Sequence, residues 1–188
     1  MIETLYENEW VSLKRAVDPA KGIKGYVFSH EKRCNGEIIA ILPYRYSEDA
    51  EDGVQFLLRK EVTPCWSMKQ EISSLTGGME PQLLHSALAT KELWEEAGYA
   101  IHVDKLVSLG TCRGTKSCDT VYHLFTVDLS EVKRTGKGEG DGSELEKKAH
   151  CYWTDNIDEA VDPMVYVMYH RMLEIDKAKK EKEEEQCS

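Results

Sequence analysis

Short runs of alternating or continuous apolar residues fill most of this chain, and two stretches carry a helical repeat instead. Trp10–Val17 sets Val11 and Leu13 on either side of Ser12, a strand pattern that Asp18-Pro19 and Lys21-Gly22 close with a turn. Gly25–Ser29 (GYVFS) makes a hairpin with it. Glu37–Tyr44 (EIIAILPY) is apolar enough for a buried strand, with Pro43 marking its end or a sheet edge. An acidic loop, Ser47–Gly53, separates it from the strand Val54–Arg59, and Glu71–Leu75 leads into a glycine pair. Ile101–Thr111, Thr120–Asp128 and Ala149–Trp153 supply the later strands, the second rich in β-branched and aromatic residues.

The first helical stretch runs from about Pro81 to Ala97, with Pro81 suited to the first turn and Gly98 to the C-terminal cap. The second follows Asp155, where Val165, Met168, Met172 and Ile175 repeat at helical spacing. Strands, one helix, more strands and a terminal helix do not make the regular βαβ alternation of a doubly wound fold. The order predicts an α+β protein, an α/β/α sandwich whose mixed sheet carries helices on its faces. Residues 1–35 read as an N-terminal strand and hairpin arm, 36–175 as the main domain, and 176–188 as a charged tail, frayed or disordered.

On the first helix Glu92, Glu95 and Glu96 stand at i, i+3 and i+4 and share one face. Like charges so spaced cost roughly 0.2–0.5 kcal/mol per pair, so the arrangement calls for a cation, Mg²⁺ above all, unless the face is merely solvated. The net charge of −10 over 188 residues excludes a nucleic-acid backbone or an anionic membrane as the main partner. Six scattered cysteines form no CxxC pair and read as reduced thiols. The acidic start MIETLYENEW has no apolar signal core, so a cytoplasmic protein is expected.

Thr76–Tyr99, about an eighth of the chain, resembles the signature box of the Nudix hydrolases, which cleave nucleoside diphosphates linked to another moiety. Gly77 matches the opening glycine, and Glu92, Leu93, Glu95, Glu96 and Gly98 match the second half. Lys91 stands where the family has Arg, Leu83 where it has its first Glu, and Tyr99 where an aliphatic residue is usual. Lys keeps the charge but lacks the planar fork. Glu80 is a substitute for the missing Glu if the loop is one residue short, an alignment that puts Gly78 at the opening position. LYENEWVSLKR and GEIIAILPY are similar to the arm and first core strands of the ADP-ribose and nucleoside-diphosphate-sugar pyrophosphatases. A proline usual past the box in that branch is missing around Gly114 and Thr115.

The resemblance implies Mg²⁺, with Mn²⁺ as a substitute, held by Glu92, Glu95, Glu96 and a backbone carbonyl of Gly77 or Gly78. It implies Lys91 orienting the glutamates, and a general base in Glu95 or in a late acidic loop at Glu144 or Glu146, with Glu139 behind them. It also implies a small nucleotide substrate and a homodimer through the arm. Nucleoside triphosphates or dinucleoside polyphosphates remain alternative substrates, and a non-catalytic nucleotide-binding module remains an alternative role. Among substrate-binding candidates, Arg59 grips a phosphate or is a surface Arg, and Trp66 stacks on a base or fills the core. Arg113 faces substrate or lies in a solvated loop. His85, His102, His123, His150 and His170 show no ligand spacing, and the glycines of KRTGKGEGDG read as flexibility.

Overall fold

The computed structural model describes the backbone of residues 1–138 and 144–187, and the side chains of all of these except 146 and 179–187. Strands β1 (Ile2–Glu7), β2 (Val11–Asp18) and β3 (Ile23–Glu31) pair antiparallel in that order. β1 makes three strands of the expected hairpin. The arm docks through β3: Ser29 N–H donates to Ser117 O at 2.9 Å, and Asp119 N–H donates to Ser29 O at 3.2 Å.

The main sheet is built from β4 (Glu37–Tyr46), β5 (Val54–Val62), β6 (Gln70–Ser73), β7 (Leu75–Gly78), β8 (Val107–Cys112), β9 (Val121–Asp128) and β10 (His150–Thr154). Its central order is β10-β5-β4-β9-β8, with β6 beside β5 and β7 beside β4. β4 and β9 run parallel and the other pairs antiparallel, so the sheet is mixed. Alternation along the strands sends side chains to two cores. Ile39, Ile41, Phe125 and Val127 pack with Leu88, Ala89 and Leu93 of α1 (His85–Ala97). Ala40, Leu42, Leu58 and Leu124 pack with Val165, Met168 and Met172 of α2 (Pro163–Cys187). Each fully buried Leu or Ile contributes about 1.5–3 kcal/mol. The result is the expected α/β/α sandwich.

Three expectations are corrected. Pro43 neither ends β4 nor sits at a sheet edge. β4 pairs with β7 through Ile41 and with β5 from Tyr44, and Pro43 falls in the gap between these ladders, where its missing N–H breaks neither. Ile101–Thr111 is not all strand: Val103–Lys105 makes a 3-10 turn, and pairing starts at Val107. The helix begins at His85, not near Pro81. Leu83 N–H donates to Glu80 O at 3.3 Å, and Gln82 has a φ of 73°, so Pro81 takes the second position of a type II turn. Gly98 caps the other end at a φ of 76°, as the sequence suggests.

α2 starts where Asp162 precedes Pro163, and one Asp162 carboxylate oxygen accepts from Met164 N–H at 2.9 Å. The other oxygen accepts from Ser74 N–H at 3.1 Å and Ser74 Oγ at 2.5 Å, which ties the β6–β7 junction to this helix. The helical backbone continues through residues 176–187, the segment read from sequence as frayed or disordered. Among the described residues no helix is long and apolar enough to cross a membrane.

Candidate functional site

β7 brings the glycine pair alongside β4, with Gly77 opposite Ile39 and Gly78 opposite Ile38. α1 then packs on β7 and sets Glu92 against Gly77. A Cβ on Gly77 would collide with the Glu92 carboxylate and its Cγ, so a side chain here would displace Glu92. Thr76, Gly77, Gly78 and the three glutamates line one cleft of about 360 Å³. Glu80 and Lys91 complete its wall, with Glu31, Arg33 and Ile38. Five carboxylates (Glu31, Glu80, Glu92, Glu95, Glu96) thus face two cations (Arg33, Lys91), an excess of three negative charges when all are ionised.

The carboxylates differ in environment. Glu96 is only 8% exposed and ion-pairs with Arg59, which is itself 3% exposed. Burial pushes the Glu96 carboxyl up to about 8, with Glu92 and Glu61 adding to the rise and Arg59 opposing it. Its Oε2 has no hydrogen-bond partner among the described residues. Lys91 Nζ lies 2.5 Å from Glu80 Oε1 and 3.3 Å from Glu95 Oε2, bridging the turn to the helix. The hydrogen bond to Glu80, opposed by partial burial and aided by Glu95, raises the Lys91 ammonium above its ordinary range. Leu83 does not line the cleft, whereas Glu80, three residues earlier, does.

Other sequence candidates lie elsewhere. Arg59 is not a surface residue and does not line the cleft: its guanidinium is buried beneath Glu96, and Glu61 lies 3.0 Å from its Nε. A strand-end arginine read from sequence alone gives no sign of this, because the partner is 37 positions away on another element. Trp66 is half exposed on a turn after β5 and does not line the cleft. Arg113 donates to Asp119 O at 2.7 Å and lines a separate cavity with Tyr26 and Phe28 of the arm. Glu144 is exposed, pairs with Lys147 at 2.7 Å, and is absent from the cleft wall. The Glu146 side chain and Glu139 lie outside the described residues.

The start of the glycine-rich segment is packed. Thr135 and Gly136 N–H both donate to Gly98 O at 2.9 Å. Cβ atoms at Gly136 and Gly138 would stand 2.9 Å from the Trp94 ring and 2.6 Å from Glu96 O. These glycines permit close approach to the end of α1, a role that composition alone does not reveal. Tyr99 is 8% exposed and accepts from Trp153 Nε1 at 3.2 Å, which accounts for an aromatic residue after Gly98.

A second cluster was not foreseen. Glu37, His85 and His123 bring three ligand atoms within 4.8 Å of one another. His123 hydrogen-bonds Glu37, His85 Nε2 lies 3.8 Å from the same oxygen, and the two imidazoles stack at 3.6 Å. Burial, then His123, pushes the His85 imidazole down against the pull of Glu37. The three residues come from β4, α1 and β9, so no local spacing could announce them.

The oxygen-rich cleft fits a hard divalent ion: its donors are carboxylates, and one buried oxygen is unpartnered. No protein-family model matches the chain, and no curated protein matches it in sequence. Among solved structures it is similar to the crystal structure of an ADP compounds hydrolase, with a TM-score of 0.66 and 14% identity over 95% of this chain and 93% of that one. At that identity the likeness establishes a shared fold, extending over nearly the whole of both chains.

Proposed function

We propose that this protein is a Nudix hydrolase that cleaves the pyrophosphate bond of a nucleoside diphosphate joined to another moiety, ADP-ribose or a nucleotide sugar foremost. The observation that carries this reading is one cleft in which Glu92 stands against Gly77 with Glu95 and the buried Glu96 beside it. The fold shared with an ADP compounds hydrolase supports the substrate class. Mg²⁺ held by these glutamates, with a glycine carbonyl beside them, would polarise the phosphoryl oxygens and activate water. Mn²⁺ is the expected substitute.

The chain's own residues divide the remaining work. Glu95, partly exposed on the cleft wall, accepts the proton of the attacking water. Lys91 holds Glu95 and Glu80 in place through its two short contacts. Arg59 fixes Glu96 from below. Water adds to one phosphorus, the bridging P–O bond breaks, and the products are a nucleoside monophosphate and a sugar phosphate. Incubation with ADP-ribose and Mg²⁺ followed by detection of AMP tests this reading.

The arm supports the homodimer. By strand register Tyr6, Val11, Leu13 and Val27 share one face of its sheet, and all four are exposed. A second copy of the chain is the proposed cover. Leu13→Glu is therefore expected to shift the protein from dimer to monomer in analytical ultracentrifugation. A wild-type monomer at all accessible concentrations would remove this proposal.

A further inference from the structure

We propose that Glu37, His85 and His123 form a second metal site, selective for a borderline transition ion such as Zn²⁺ and separate from the carboxylate cleft. Two imidazoles and one carboxylate within 4.8 Å are a donor set that hard ions such as Mg²⁺ do not require. None of the three residues lines the cleft. Each belongs to a regular element, so the donors are held by the fold rather than by a loop. Glu37 and His123 are on adjacent parallel strands, with Ile39 opposite His123, and His85 opens the helix that packs over them.

His85 lies on the sheet-facing stripe of α1. His85, Leu88, Ala89, Glu92, Leu93 and Glu96 follow the i, i+3, i+4 repeat that α1 turns toward the sheet. Leu88, Ala89 and Leu93 on this stripe are fully buried apolar residues, and Glu92 and Glu96 line the cleft. His85 is the remaining member, and it sits over His123 and Glu37. Zn–N bonds of about 2.0–2.1 Å set tetrahedral donors roughly 3.3 Å apart, so His123 and Glu37 must part from their hydrogen bond to admit the ion, and the stacked imidazoles must turn about their side-chain torsions to aim their ring nitrogens at it. Three protein ligands leave a coordination position for water, and the half-exposed setting of Glu37 and His85 gives solvent access to it. A bound ion would pin the first turn of α1 to β4 and β9. It would do so one residue from the cleft glycines, since Met79 N–H donates to Glu37 O at 2.9 Å.

The test uses the full chain stripped with chelator and kept in excess Mg²⁺, so that the carboxylate cleft is filled. Titration with Co²⁺ is expected to bind about one ion per chain and to give the intense visible d–d bands of a four- or five-coordinate nitrogen and oxygen site. Zn²⁺ should abolish these bands, and about a hundredfold excess over its Kd should raise the Tm by about 5–10 °C. His85→Ala and His123→Gln should each lose both responses. His85 is partly exposed at a helix start, so its variant reports on the site even if His123→Gln folds poorly. Absence of the bands, their survival in both variants, or a thiolate-to-cobalt charge-transfer band would overturn the proposal. Because the readouts are spectral and thermal, they do not depend on whether the cleft hydrolyses ADP-ribose.

Discussion

Glu95→Gln is expected to lower kcat for ADP-ribose hydrolysis by about 10²–10⁴-fold, the range for removing a positioned general base. The substitution keeps the shape of the side chain and removes its capacity to take a proton. Lys91 retains Glu80 as a partner, so the cleft wall should hold. With Mg²⁺ saturating, the loss should therefore appear in kcat, and a raised Mg²⁺ requirement would report the share of Glu95 in holding the metal. Glu144→Gln serves as the comparison, because that side chain is exposed and paired with Lys147 outside the cleft. Steady-state kinetics on both variants decides between them. A fully active Glu95→Gln, or an inactive Glu144→Gln, would move the base to the late acidic loop.

The largest effect on stability is expected from Arg59. Removing one partner of a buried ion pair leaves the other charge uncompensated, which costs about 3–5 kcal/mol. Arg59→Met removes the opposing pull on Glu96, whose carboxyl burial already raises to about 8, so the cost is largest at alkaline pH, where Glu96 is ionised beside Arg59. For a chain of this size the expected fall in Tm is about 6–20 °C. Adding Glu96→Gln to Arg59→Met should recover part of that loss, since the orphaned charge disappears with it. Differential scanning calorimetry of the two single variants and the double variant measures the coupling. Strict additivity would show that the pair does not hold the floor of the cleft.

The legible parts of the molecule were those written in local pattern. Glu37–Tyr44 and Val54–Arg59 each fall within a strand, and Thr120–Asp128 matches β9 but for Thr120, because their apolar runs are long enough to be recognised without knowing their partners. The i, i+3, i+4 spacing of Glu92, Glu95 and Glu96 places all three on the cleft wall. Gly98 forms the left-handed cap for the same local reason.

What escaped the sequence depends on elements that meet only in space. Arg59 carries no local mark of burial, and Glu96 reaches it from a helix across the sheet. Pro43 is tolerated because a central strand changes partner at that point, which only the register reveals. Pro81 suited a helix start and a type II turn equally well, and the turn prevailed through Gln82. The same limit hid Glu37, His85 and His123, contributed by three separate elements. At the start of KRTGKGEGDG, glycine content suggested freedom where Gly136 and Gly138 instead admit close packing.

The proposed chemistry is cleavage of a nucleotide-linked pyrophosphate in the glutamate cleft beside Gly77 with a divalent ion. Its most direct measurement is AMP release from ADP-ribose by the full chain, with Mg²⁺ and after chelation. AMP and ribose phosphate are expected in equal amounts with Mg²⁺, and neither after chelation. Binding of ADP-ribose without AMP release in either Mg²⁺ or Mn²⁺, or release undiminished by chelation, would contradict it.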